Sequence, residues 1–535
     1  MINNLNAEKK YNKLSTHICI VGGGTVGLYL ADALKSNGNL NITVLEAGSD
    51  QTNKNIAKYF KVKTTTHYNN VGSISRMFGI GGSTAAWAGA MIPLLEENFK
   101  GNASKDLKNW NIPYGEIYKY YLIVEKKFKF KILNIKSKII NHFIKKKIKY
   151  FHFSSKFFNL RFSTVIPAKI KNFNYYFFNK IKNENNLNLI TNATVFKIKN
   201  SKNINVKKLN VVKNIFAYSE NGNILEVEAD LVVICCGAIE STRLLCIYDK
   251  DNGNFIRKQK SPLGNYFSDQ VTTICGKFII KDWKKFSKYF SPVYWNNSIQ
   301  VPRLVLKSKI IKNKNLSEIS CQFILEKSKK HWIQVLKFFL EKKKITLSEL
   351  NFILFSIPQI MVEIFNYFKL RLIRKNNWFY KTKEVVLHVN LEQKPNFNNK
   401  LFIINEGKNK YTKIKRSVLI WKIKRKEIET LRFFLNIFNK SWQNAGLDKI
   451  AELKINKHNY KSLLRSLKVF LHPTGSIRIG TNKSNSVVNK NLKVWNTKNL
   501  YVCSTAVFPS SGSANTGMTL LALTARLGDY LIKKY

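Results

Sequence analysis

Four residues near the start of the chain have the types and spacing needed to hold a diphosphate. Gly22, Gly24 and Gly27 stand at G-x-G-x-x-G spacing, and Glu46 follows 24 residues after the first of them. In such a set the first glycine allows a tight turn and the second lets the backbone approach a pyrophosphate. The third lets a helix close against a strand. The anion then rests on the free N–H groups at the positive end of that helix. A carboxylate placed like Glu46 can accept hydrogen bonds from a ribose diol.

The elements that must position these groups are legible around them. Ile18–Val21 is a short apolar run of the kind found in buried parallel strands, an apolar helix spans Leu28–Leu34, and a second strand, Ile42–Leu45, ends at Glu46. Together they read as a β–turn–α–β dinucleotide site, and the motif alone does not separate FAD from NAD. A second glycine-rich block, residues 71–99, contains Gly79, Gly81, Gly82, Gly89 and the small residues Ser83, Thr84, Ala85 and Ala86. Such a series lets backbone lie against a flat ligand, or simply makes a surface loop. Strand-like runs follow at Leu187–Ile190, Thr194–Ile198 and Ile224–Val227. Leu231–Ile234 then leads through Gly237 into a helix bearing Ser241 and Arg243, a shorter repeat of the first strand–turn–helix.

The bulk numbers permit large cores: 535 residues and 44% hydrophobic content. With 90 basic and 32 acidic residues the net charge is +58. Such a charge fits nucleic acid or an anionic membrane. A codon bias that enriches Lys, Asn, Ile, Phe and Tyr together is the favoured account, because the basic residues are dispersed and form no nucleic-acid module. Seven cysteines without C-x-x-C spacing read as reduced core thiols, and no His cluster suggests a metal. The first 16 residues lack the apolar stretch of a secretory signal. Residues 110–184 interleave aromatics with lysine and read as a solvated face over an aromatic core. Residues 345–368 read as an amphipathic helix with Glu349, Ser356 and Glu363 in a polar stripe, interrupted by Pro358 and bracketed by Lys342–Lys344, Lys369, Arg371, Arg374 and Lys375. This helix packs on its domain, or lies on a membrane with the lysines toward anionic lipid; it does not span one. Strands at Val385–Asn390, Leu401–Ile404 and Ser417–Trp421 and a helix over about 424–445 suit a mixed sheet with helices.

Four separated blocks resemble the glucose–methanol–choline (GMC) family of flavin oxidoreductases, in the family's order: VGGGTVG…VLEAG, GGSTAAWAG, VVICCGAIESTRLL and HPTGSIRIG…NLYVCSTAVFPSSGSANTGMTLLAL. LGNYFSDQ (263–270) and EQKPN (392–396) also look like family segments, and the blocks are nearer to bacterial dehydrogenase-like members than to secreted oxidases. The resemblance implies an α/β fold: a Rossmann-type FAD-binding domain with a discontinuous α+β substrate domain. The FAD domain would combine 14–105, 185–275 and 466–535, with 106–184 as an insert or lid and 276–465 as the substrate domain. FAD would be held by Gly22, Gly24, Gly27 and Glu46 at the adenosine end, with Gly82, Ser83, Ser504 and Thr516 near the pyrophosphate and flavin and a backbone contact from Val195 to adenine. Some relatives attach FAD through a histidine just before the tryptophan of the second block; Ala86 stands there, which implies non-covalent FAD. Thr516, Ser504 and Asn489 depart from residues common in the family.

His472 and Asn515 fall where the family carries its catalytic histidine and second histidine or asparagine. The resemblance implies oxidation of a CH–OH group to a carbonyl, most commonly on a sugar or polyol, with hydride passing to flavin N5, His472 as general base and Asn515 aligning the alcohol. A cytoplasmic enzyme follows, with an undefined electron acceptor, peripheral contact at the inner membrane face through 345–368 as one alternative, and no specific nucleic acid. Two other readings stand beside it: a non-catalytic flavoprotein, and a basic membrane- or nucleic-acid-associated binding protein.

Overall fold

The computed structural model describes residues 2–50, 54–64, 76–100, 110–132, 145, 149, 151, 153, 155–201, 209–296, 298–325, 347–368, 384–404, 415–455 and 460–535. Ile18–Val21 is the end of a longer strand, Tyr11–Val21, inside an eight-stranded sheet. Ile42–Leu45 and Ile224–Ile234 lie parallel on its two sides. Leu187–Thr191 and the edge strand Ile2–Asn4 extend the parallel run. Leu500–Val502 pairs parallel with the end of Ile224–Ile234, while Val212–Tyr218 and Thr194–Asn200 add an antiparallel margin. Ile18, Cys19, Ile20, Val44, Val232 and Val233 are fully buried, as strands covered on both faces require. The helix Thr25–Leu34 meets the helix Gly517–Lys534 closely: a Cβ added at Gly528 would lie 3.2 Å from the Ala33 Cβ.

The second sheet is antiparallel and nine-stranded. Its path runs through Ala451–Ile455, Val271–Ile280, Glu384–Leu391, Ile319–Leu325, Ser298–Leu306, Phe158–Val165 and Ala90–Met91. The helix Arg425–Asn444 lays Phe434, Phe438 and Trp442, spaced four apart, on this sheet. Their rings stack at 15–18° and meet Phe278 and Phe323. The abundant phenylalanines therefore fill a real core.

The segment 106–184, expected as an insert or lid, is instead divided between the two layers. Phe158–Val165 is a strand of the second sheet, whereas the helices Tyr114–Lys127 and Phe173–Ile181 bury Ile117, Tyr121, Phe173 and Phe177 in the first core. Local periodicity identifies a strand or a helix but not which core will receive it. The seven cysteines are described, and none is in a disulfide.

The helix Leu347–Phe368 turns apolar side chains outward. Ser356, a member of the polar stripe, is buried, while Leu347, Leu354, Phe355, Ile357, Met361, Val362 and Phe365 are exposed. The side chains of Glu349, Gln359, Glu363 and Asn366 and the flanking basic residues lie outside the described set. Among the described residues no helix is long and apolar enough to cross a membrane.

Candidate active site

A cavity of about 640 Å³ runs from the glycine turn to the start of the helix Gly517–Lys534. Gly22 takes φ +106°, open to glycine and strained for other residues. At Gly27 an added Cβ would lie 1.9 Å from the Gly22 carbonyl oxygen, so this residue is needed for helix–strand closure. Gly24 caps the helix Thr25–Leu34 without a side-chain hydrogen bond, and a Cβ there would have only the Gly82 Cα within 4 Å, at 3.8 Å. The first and second glycine blocks thus face each other across the cavity wall.

Glu46 is buried at this end. Its Oε2 accepts from Gly23 N–H at 2.8 Å, and its Oε1 accepts from Gly48 and Gly79 N–H at 2.9 Å. Burial pushes its pKa up, and these backbone donors oppose the shift. A carboxylate has about four acceptor positions, and backbone N–H groups take most of them. Arg76 and Arg243 share the carboxylate of Glu240, with contacts of 2.5 and 2.6 Å. All three line the cavity, and Arg76 Nε and Arg243 Nη1 are buried without a partner.

Gly22, Gly24, Glu46, Gly82, Ser83, Val195, His472, Asn515 and Thr516 all line the same cavity. Gly27 stands behind it as a packing contact. Ser504, expected beside the cofactor, is set into the wall: its Oγ accepts from Ala506 N–H and caps the turn Thr505–Val507, leaving Thr505 to line the space. Ala86 lines the cavity with a methyl group.

At the other end the orientation of His472 follows from hydrogen-bond bookkeeping. Gln270 donates its Nε2 to the carbonyls of Gly512 and Ala514, both at 2.7 Å. Its Oε1 therefore faces His472 Nδ1 at 2.9 Å, and Nδ1 must carry the hydrogen. This leaves Nε2 as the ring's lone-pair nitrogen. The His472 backbone N–H donates to Asp269 Oδ1 at 2.8 Å. Burial raises the Asp269 carboxyl to about 8 against the backbone N–H donors of His472 and Gln270. Burial, with the charge of Arg303 added, lowers the His472 imidazole to about 3. Asn515 Oδ1 accepts from Arg303 Nη2 at 2.7 Å. The loop before Asn515 is fixed by Glu318, which accepts from Ser513 N–H at 2.7 Å and from Asn98 Nδ2 at 2.7 Å.

Gln270, Arg303, Arg76 and Glu240 were not singled out as site residues from sequence. Gln270 closes the segment LGNYFSDQ, which carried a signal; Arg303 lies in a stretch with none.

Comparison with known proteins agrees with this fold. The chain resembles pyridoxine 4-oxidase from Mesorbium loti (TM-score 0.60, 14% identity, 97% of this chain and 100% of that one) and a formate oxidase (TM-score 0.58, 14% identity, 98% and 99%). It matches 2-methyl-1,2-propanediol dehydrogenase of Mycolicibacterium austroafricanum at 34% identity over 64 residues, 12% of each chain. Sheets and cavity define the class: a Rossmann-type dinucleotide-binding layer joined to an antiparallel α+β layer. Residues 417–524 match the family model described as GMC oxidoreductase.

Proposed function

We propose that this chain is an FAD-dependent oxidoreductase that converts a CH–OH group, on a sugar or related polyol, to a carbonyl. The observation that carries the reading is the locked His472 ring, with Nδ1 committed to Gln270 and Asn515 lining the same cavity as the diphosphate turn.

The residues present fit FAD. The uncapped helix start at Gly24 offers N–H groups to a pyrophosphate, and Glu46 lines the same end of the cavity, where a ribose would lie. Val195 is placed for a backbone contact to adenine, and Gly82, Ser83 and Thr516 line the wall beyond. Ala86 has no atom for a covalent link, so the cofactor is non-covalent. Bound flavin supplies the hydride acceptor. The protein supplies the rest. His472 Nε2 takes the hydroxyl proton as hydride leaves the carbon, and Asn515 holds the alcohol oxygen and aligns the C–H bond. The proposed setting is the cytoplasm, with peripheral contact at the inner membrane face through Leu347–Phe368 as one alternative, motivated by the exposed Phe355 and Phe365.

The test is anaerobic stopped-flow bleaching of the flavin with a panel of sugars and alcohols. His472→Ala should retain FAD and slow reduction by roughly 10²- to 10⁴-fold, or about 3–5 kcal/mol of barrier. Asn515→Ala should cost less, since the base remains. Acid precipitation should release the yellow colour to the supernatant. An unchanged His472→Ala rate would sink the mechanism, and a flavin bleached by no alcohol would support a non-catalytic role.

A further inference from the structure

Arg303 occupies an unusual electrostatic position. It lies on the strand Ser298–Leu306 directly opposite Arg161 of Phe158–Val165, so two guanidinium groups are paired across a buried ladder. Like charges so placed repel. Arg161 has compensation: its Nη2 donates to the Pro93 carbonyl at 2.6 Å, and the Glu318 carboxylate acts on it. Arg303 is 3% exposed, and its Nε and Nη1 have no hydrogen-bond partner. Among the described residues no carboxylate pairs with it. Its hydrogen bond runs from Nη2 to Asn515 Oδ1. Removing one charge from such a ladder would relieve the repulsion, so packing does not account for the guanidinium.

We propose that Arg303 is the positioning residue of the catalytic pair, fixing Asn515 as a hydrogen-bond donor and placing positive charge behind the oxygen from which the substrate proton leaves. This rests on the alcohol-oxidation reading of His472 and Asn515. A guanidinium has only donors, so the Asn515 amide cannot flip: its oxygen faces Arg303 and its NH₂ group is directed away from that contact. A donor suits an alkoxide better than an alcohol, so the contact strengthens as the O–H proton passes to His472 Nε2 and hydride leaves the carbon to give the carbonyl. Arg303 polarises the amide in the same sense. Its charge also opposes a positive imidazole, adding to the burial that keeps His472 neutral and ready to accept. The other ionisable groups around the ring are Asp269 on its backbone N–H, and His388, whose ring is packed against Phe470 next to His472 and is lowered to about 4 by burial and the same Arg303 charge. Arg161 stands behind Arg303.

The experiment uses the full, FAD-loaded chain with Arg303→Met, Arg303→Lys and Asn515→Ala. Arg303→Met should lower kcat for flavin reduction by roughly 10- to 100-fold with a smaller change in KM. It should also move the acid limb of the pH profile upward, because the imidazole regains basicity. Asn515→Ala should cost much less in the Met background than alone, since both changes remove one arrangement. Arg303→Lys should keep the acid limb near its wild-type position while losing the coupling to Asn515. An unmoved acid limb in Arg303→Met with additive costs would overturn the proposal. If the Met variant does not hold FAD, the Lys variant decides: lost coupling supports the proposal and wild-type coupling overturns it. If no alcohol bleaches the wild-type flavin, the alcohol reading fails, and NMR titration of the His472 ring tests Arg303 separately. An upward shift in the variant supports the electrostatic role, and an unchanged ring overturns it.

Discussion

His472 is held by one neighbour for orientation and by another for charge state. Gln270 leaves Nε2 as the acceptor, while burial and Arg303 bring the imidazole to about 3. On the proposed mechanism the neutral ring is the base, so activity would be lost only as pH falls through the folded value. Flavin reduction should therefore persist well below 6.5, the ordinary imidazole value, and an acid limb centred near 6.5 in a pH–rate series would contradict this environment. Asp269 has the opposite sign. Its folded value of about 8 lies above the ordinary 3.8, so its contribution to stability is full below about pH 4 and is lost as pH rises through 8. Asp269→Asn keeps an oxygen for the His472 N–H and removes the charge. Its melting temperature at pH 9 should exceed the wild type's by roughly 2 °C or more, and the gap should narrow at pH 6. A wild type as stable as the variant at pH 9 would contradict the buried-carboxyl account. At this scale the sequence was legible where chemistry is local. His472 and Asn515 sit in compact blocks, and the structure brings both to one cavity. The roles of Gln270 and Arg303 come from the carbonyls of Gly512 and Ala514 and from the amide of Asn515, all more than 200 positions away.

Elements were legible in proportion to how far their pattern is self-contained. The glycine turn announces itself because its constraints lie within about 30 residues, and Gly27→Ala tests the tightest one. The added methyl would sit 1.9 Å from a backbone oxygen, so this variant should lose about 3 kcal/mol or more and much of its FAD. Gly38→Ala, with nothing within 4 Å of the new methyl, should unfold in denaturant close to wild type. Of the second sheet only Val385–Asn390 was readable as a strand, found as Glu384–Leu391; its other strands and their order were not, because antiparallel register is decided by partners such as Phe158–Val165 and Ser298–Leu306, far apart in sequence. The stripe on Leu347–Phe368 was readable too, yet it does not say which side faces inward. Its exposed Phe355 and Phe365 suit an apolar membrane boundary, with basic flanks for anionic headgroups. Phe355→Ser with Phe365→Ser should weaken sedimentation with phosphatidylglycerol vesicles by about tenfold. Equal sedimentation of variant and wild type would remove the helix from that role.

At the scale of the molecule, the two layers meet along one cavity, and residues 466–535 supply His472, Asn515 and Thr516 to it and the strand Leu500–Val502 to the parallel sheet. Removing them should abolish FAD retention, measured as absorbance after gel filtration, even though the glycine turn remains; a yellow truncated protein would show that the turn suffices alone. The packing of the helix Thr25–Leu34 on Gly517–Lys534 has a further consequence, for synthesis. Residue 34 precedes residue 517 by 483 positions, on the order of 25–100 s of ribosome travel at ordinary elongation rates. Over that interval the nascent parallel sheet lacks a strand and its helix lacks its cover, so apolar surface waits in the open for chain that has not been made. Assembly of this protein is in that sense timed by translation. Its demand for chaperones should peak before release, and the cofactor should be captured late, in one step, rather than gathered as each half-site emerges.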